Sequence, residues 1–272
     1  MQRIDLSTVE LAYIERGTGL PVLLVHGFPL DHTMWNAQIE ALSDRCRVIA
    51  PDLRGFGQSS LGDVEPNVGI SMERYADDLV ELLDSLAIRE PIVLAGFSMG
   101  GYVVWQLARK HANRLRALVQ CDTKAVADND EARAVRLKMA EQIFEWGSGR
   151  VAEMMGPKLL AKRSFEVKPQ VVAAVRRVVE NTSPAAIAAA QRGMAARPDM
   201  TGLLASIRVP TLVLVGQEDV ISPPAEMRSI AAAIPDAQFI EIPSAGHMTT
   251  MENPQAVNAA LGSFLEEIVD SG

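Results

Sequence analysis

The sequence predicts an α/β fold, a doubly wound, mostly parallel sheet with a helical insertion. Three observations carry this reading. Short, β-branched apolar runs alternate with longer segments of helical period. The runs lack polar alternation, as strands covered on both faces do. One long stretch, residues 124–202, holds helix patterns and no convincing strand.

Strand-like runs follow in order at Pro21 to Val25, Arg47 to Ala50, Pro91 to Ala95, Leu115 to Cys121, Thr211 to Val215 and Gln238 to Ile242. Between them, Tyr75, Leu79, Leu82, Leu83 and Leu86 form one apolar helical stripe. A helix pattern runs from Gly101 to Arg114, with Val103, Val104 and Leu107 on one side. At the C-terminus, Val257, Leu261, Phe264, Leu265 and Ile268 form another stripe, after Asn253 as N-cap and Pro254 at the first helical position. Pro157, Pro169, Pro184 and Pro198 punctuate the insertion into about four expected helices. Residues 1–123 and 203–272 are thus expected to form the core, and 124–202 a helical cap over the C-terminal edge of the sheet.

A chain of 272 residues with 48% hydrophobic and 22% charged residues buries a large core, which excludes disorder, and needs no disulfide or metal to fold. The formal charge of −8 argues against nucleic acid or an anionic membrane as main partner. The insertion departs from this balance, with 13 basic and 9 acidic residues, and it holds five of the 12 methionines. Cys46 and Cys121 are too few for a disulfide framework, and each sits in an apolar run as a buried thiol would. No signal peptide and no run of about 18 apolar residues is visible, so a cytoplasmic location is expected.

The strongest chemical signal is Gly96-Phe97-Ser98-Met99-Gly100. It lies between a strand run and a helix pattern, so Ser98 sits on a strand-to-helix turn that lifts its side chain above the sheet edge. The helix N-terminus adds positive potential there. A serine hydroxyl needs a base to become a nucleophile at neutral pH. Of the four histidines, His111 lies on a polar helical stretch and is expected to face solvent. His32 sits in a loop and could join Asp31 in a cap, and His26 ends a strand. His247, in the loop Pro243-Ser244-Ala245-Gly246-His247, is the expected general base.

A carboxylate should fix the histidine tautomer. Asp219, which begins the turn toward Ser222-Pro223, is preferred over its neighbour Glu218 and over Asp122 at the end of another strand run. An oxyanion hole needs two aligned N–H donors. Met99, after the nucleophile, supplies one. Phe28, in His26-Gly27-Phe28-Pro29, supplies the other, because proline has no N–H. Gly27 permits an unusual backbone angle there, and His26 is expected to brace the loop. No metal cluster and no phosphate-binding glycine loop is present. Gly55-Phe56-Gly57 lacks the third glycine of a dinucleotide site, and no cofactor is implied.

With the His26-Gly27 strand end, Asp52-Leu53-Arg54-Gly55-Phe56-Gly57, the serine elbow, Asp219 and Gly246-His247 in this order, the chain resembles the α/β-hydrolase superfamily along nearly all its length. Gly27-Phe28-Pro29 and Phe97-Ser98-Met99-Gly100-Gly101 look like bacterial arylesterases and cofactor-free haloperoxidases or perhydrolases. Met34-Trp35 followed by Gln38 resembles 3-oxoadipate enol-lactonases and C–C bond hydrolases. Dehalogenases and epoxide hydrolases of this fold use an aspartate nucleophile, which Ser98 excludes. The resemblance implies a serine hydrolase acting on small-molecule carboxylic esters of short to medium acyl chain. A lactonase or a perhydrolase would use the same residues. A ligand-binding protein of this fold would be expected to have lost one of them.

Overall fold

The computed structural model describes residues 1–64 and 68–270. Its centre is an eight-stranded sheet built from β1 (Gln2–Asp5), β2 (Glu10–Arg16), β3 (Leu20–Val25), β4 (Cys46–Pro51), β5 (Ile92–Phe97), β6 (Leu115–Cys121), β7 (Thr211–Gly216) and β8 (Gln238–Ile242). The strand order is β1-β2-β4-β3-β5-β6-β7-β8. β1 and β2 are antiparallel to their neighbours, and the other strands run parallel. The mostly parallel sheet is the expected one, with an antiparallel edge that the apolar-run reading does not reveal. β1 reads Gln-Arg-Ile-Asp and is mostly exposed, so it has no apolar signature to find.

Every residue of β5 and β7 is buried, which is why these strands read as unbroken apolar runs. The chain steps from β3 outward to β4 through α1 (Asn36–Leu42), then back across β3 to β5 through α2 (Met72–Ser85). Right-handed crossovers in opposite directions put α1 and α2 on opposite faces. α3 (Met99–Lys110) packs beside α2, and the C-terminal α11 (Pro254–Asp270) packs beside α1. Both faces of the sheet are therefore covered, and the strand ends carry the polar loops.

Between β6 and β7 lie only helices among the described residues: α4 (Asp130–Leu159), α5 (Ser164–Val167), α6 (Pro169–Asn181), α7 (Pro184–Ala195) and α8 (Thr201–Leu204). Pro169 and Pro184 start helices as expected, where a missing N–H costs nothing. Pro157 does not separate two helices and lies inside α4. The break in α4 falls instead at Gly147, whose φ of 71° and ψ of 165° are non-helical. α9 (Pro224–Ala233) and α10 (Thr249–Glu252) complete the chain. The insertion is pinned to the core by Arg197. Its guanidinium lies 4.3 Å from the Tyr102 ring centre on α3 and 2.8 Å from Asp128, whose carboxyl also takes Arg136. Burial would push the Asp128 carboxyl up, but Arg197 and Arg136 outweigh it and hold it below the usual range.

Candidate active site

Ser98 follows β5 directly with φ 51° and ψ −113°, a left-handed conformation that a non-glycine residue holds only under strain. Its surroundings enforce it. The Ser98 N–H donates to Cys121 O at 2.9 Å, and the Thr123 hydroxyl donates to Ser98 O at 2.7 Å. The turn can close only because of its glycines. A Cβ on Gly100 would lie 2.4 Å from Val25 O, and one on Gly96 would lie 2.6 Å from Gly100 O. Ser98 itself stays half-buried at the start of α3, while its neighbours are buried.

The Ser98 hydroxyl donates to His247 Nε2 at 2.9 Å. On the other side of the ring, Nδ1–H donates to Asp219 Oδ2 at 2.7 Å. Asp219 is held in turn. Its Oδ1 accepts the N–H groups of Ile221 (2.7 Å) and Ser222 (3.0 Å), the turn that begins at this residue. Glu218 is exposed, whereas Asp219 is buried. His247 and Asp219 are 1% and 3% exposed, so only the serine end of this chain meets solvent. The structure thus brings together three side chains from the ends of β5, β7 and β8, at the sheet edge where open α/β folds carry their sites.

Met99 is the first residue of α3, and the first amides of a helix have no intrahelical partner. The Gly27–Phe28 segment follows β3, the strand paired in parallel with β5, so it leaves the sheet at the same edge as Ser98. Gly27 does not use a positive φ. It is glycine because a Cβ there would lie 2.6 Å from the Phe97 ring. His26 braces this loop, with Nδ1 2.8 Å from Gly27 O and Nε2 accepting the Leu53 N–H at 2.9 Å. Burial holds His26 below the usual histidine range, despite the pull of Asp52.

His32 pairs with Asp52 and not with Asp31. His32 N–H and Nδ1 lie 2.8 and 2.7 Å from Asp52 Oδ1, while Asp31 caps the next turn through the Thr33 N–H. Asp52 Oδ2 also accepts the Gln58 N–H at 2.8 Å, and a Cβ on Gly57 would collide with this carboxylate. Arg54 is buried and forms a two-pronged pair with Asp78 at 2.6 and 2.8 Å. The Asp52 to Gly57 segment is therefore a hydrogen-bonded brace beside the serine edge. His111 is half-buried at the C-cap of α3, the opposite end of that helix from Ser98.

Asp122, the alternative acid, is fully buried beneath the site. Its Oδ1 accepts the Gly216 N–H at 2.9 Å, and its Oδ2 bonds the Thr249 hydroxyl. Burial, and then the charge of Asp219, push its carboxyl well above the usual range. Asp122, Asp219 and His247 each present an oxygen or ring nitrogen within 4.8 Å of the others, and the two carboxyls also hydrogen-bond each other. Thr249 and Glu252 escaped the sequence reading. The signal available was their position just past His247 on a short helix.

No helix of the described residues is long and apolar enough to cross a membrane. The chain is 48% identical to a thermophilic esterase from Thermogutta terrifontis solved with malate bound, with a TM-score of 0.95 over 98% of this chain and 99% of that one. It is 28% identical to the enol-lactonase from Burkholderia xenovorans LB400, with a TM-score of 0.89 over 97% of this chain and 100% of that one. It is 25% identical to a bromoperoxidase from Bacillus anthracis, with a TM-score of 0.82 over 95% and 96% of the two chains. The family model for the alpha/beta hydrolase fold matches residues 21–254, so this chain belongs to the α/β-hydrolase fold family.

Proposed function

We propose that this chain is a serine hydrolase that cleaves carboxylic esters of small to medium acyl chain through an acyl-enzyme. The observation that carries this reading is the continuous hydrogen-bond chain Ser98–His247–Asp219 at the sheet edge. Ser98 Oγ attacks the ester carbonyl while His247 Nε2 takes its proton. The Phe28 and Met99 N–H groups hold the oxyanion, and Asp219 stabilises the imidazolium through Nδ1. The tetrahedral adduct collapses as His247 returns the proton to the leaving alkoxide. Water, deprotonated by the same histidine, then releases the acid and restores the serine.

Residues 124–202 act as the cap in this reading. Its support is an open cavity of about 470 Å³ lined by Phe28 with Val135, Met139 and Met155 of α4, and edged by the charged Glu131, Arg136 and Lys158. Flexible methionines suit a pliable acyl site. The likeness to an enol-lactonase keeps a cyclic ester as a second substrate form, reached by the same attack.

The test is Ser98→Ala assayed with p-nitrophenyl acetate. The variant keeps its melting temperature and loses turnover to the residual level that binding and the oxyanion hole sustain. Undiminished turnover in the folded variant removes the assignment. A panel of short and long p-nitrophenyl esters, an enol-lactone, and acetate with peroxide separates the esterase from the lactonase and perhydrolase forms.

A further inference from the structure

Glu252 is 3% exposed, and its carboxylate accepts three donors from two separate parts of the chain. Oε2 takes the Gly246 N–H at 2.8 Å, one residue before His247. Oε1 takes the Ala161 N–H at 2.8 Å and the Ser164 hydroxyl at 2.5 Å, both in the helical insertion. The same junction is tied twice more. Met248 N–H, one residue after His247, donates to Leu159 O at 3.0 Å. Lys168 Nζ donates to Glu252 O at 2.5 Å and to Ser244 O at 3.3 Å. The backbones are in contact here, since a Cβ on Gly246 would lie 2.5 Å from Ala161 N. His247 is thus flanked on both sides by residues bonded to the segment 159–168.

We infer that Glu252 is a positioning residue that couples the helical insertion to the general base, so that the insertion sets the register of His247 against Ser98. This rests on the hydrolase reading above. The backbone N–H groups of Gly246 and Ala161 can only donate, and they meet different oxygens of Glu252, so both oxygens must accept. A glutamine in the same place must turn its NH2 toward one of these donors. It can keep the insertion or the His247 loop, and loses the link between them. The imidazole then loses its alignment, and a misplacement on the order of 1 Å at reacting groups costs about 10²-fold in rate. Substrate binding, which depends on the cap cavity, is touched less.

Glu252→Gln and Ser164→Ala test this, alongside Ser98→Ala. For Glu252→Gln the expected result is a kcat lowered by about 10²-fold with KM within about threefold, and a shifted acid limb in the pH profile of kcat/KM. Ser164→Ala, which removes one bond on the insertion side only, gives a smaller fall in kcat with KM unchanged. Melting temperatures and fluorophosphonate titration count the folded, reactive sites, so that kcat is stated per site. A merely structural Glu252 would lower the melting temperature and leave kcat per site and the acid limb at wild-type values, and that result overturns the inference. If Glu252→Gln does not fold, wild-type kcat and pH profile in Ser164→Ala overturn it instead. Retained activity in Ser98→Ala would strike the hydrolase reading itself, which the Glu252 variants do not.

Discussion

Asp122 and Asp219 present carboxyl oxygens within 4.8 Å of each other and of a His247 ring nitrogen, but it is Asp219 that bonds the ring. The two acids are separated by environment. Asp219 is held by two backbone N–H groups of its own turn, whereas burial and the Asp219 charge favour a protonated Asp122. Asp219→Asn is expected to lower kcat by about 10⁴-fold, because an amide cannot stabilise the imidazolium and can favour the wrong tautomer. Asp122→Asn keeps a neutral group of the same shape and should retain most activity. Steady-state kinetics on p-nitrophenyl acetate check both, and equal losses would overturn the division of roles.

The same carboxyl sets a pH dependence of stability. Its folded pKa is raised, so above the ordinary carboxylate range the folded chain holds a proton that the unfolded chain has released. Stability contributed by this group is therefore full below the unfolded pKa and lost as pH rises through the folded value. Asp122→Asn removes this loss. Its stability in urea should fall less than that of the wild type between about pH 5 and pH 8.

His32 and Asp52 form a second pH-dependent pair of opposite signs. Burial opposes the charge on each, but their hydrogen bond and mutual attraction outweigh it, so His32 is raised and Asp52 lowered. The His32 contribution is full below its unfolded value of about 6.5 and lost as pH rises through the folded one. The Asp52 contribution is present above its unfolded value of about 3.9 and lost as pH falls through the depressed one. His32→Asn should therefore destabilise most between these limits, and less at alkaline pH. Urea midpoints on either side of the histidine range decide this, and an equal loss at both would mean that the pair carries no charge.

What could be read from the chain follows physical rules. Ser98, Asp219 and His247 were legible because each sits just past a strand run, and turn chemistry at a strand end is local. The parallel strands were legible because burial on both faces leaves no polar alternation. β1 was not, being short, polar and exposed. The break in α4 was assigned to prolines, yet Pro157 lies near the helix end and Gly147 made the kink. Glu252, and the supporting contacts of Asp122, which the sequence offers only as an alternative acid, were hidden for a different reason. Their partners Ala161, Ser164 and Thr249 lie about 90 residues or more away, and no local pattern records such a meeting.

Arg54 and Asp78 predict a stability effect remote from the chemistry. Both side chains are nearly inaccessible, at 1% and 3%, and the pair is joined by two bonds. The Thr8 carbonyl and hydroxyl also accept from the guanidinium, at 3.1 and 2.9 Å. Asp78→Ala leaves the guanidinium buried without its counter-charge, which costs about 3–5 kcal/mol. Chemical denaturation measures this. A loss within about 0.5 kcal/mol, the range of ordinary surface substitutions, would show that the pair contributes nothing.

Gly216 ends β7 at the point where two supports of the site meet. Its N–H donates to Asp122 Oδ1, and a Cβ on it would lie 1.9 Å from the carbonyl oxygen of Gly246. That oxygen belongs to backbone next to His247, and the Ala245 carbonyl, 2.6 Å from the same Cβ, blocks an alternative path. Backbone cannot yield as a flexible side chain can, so Gly216→Ala must displace the His247 loop or β7 itself. Because β7 is buried and paired on both sides, the loop is the part that moves. Gly216→Ala is therefore expected to lower kcat by about 10²-fold, with a melting temperature that falls as well. Fluorophosphonate labelling of Ser98 should slow in step with kcat, since both need the imidazole in place. Labelling at the wild-type rate would mean that the loop absorbs a methyl group without moving its histidine.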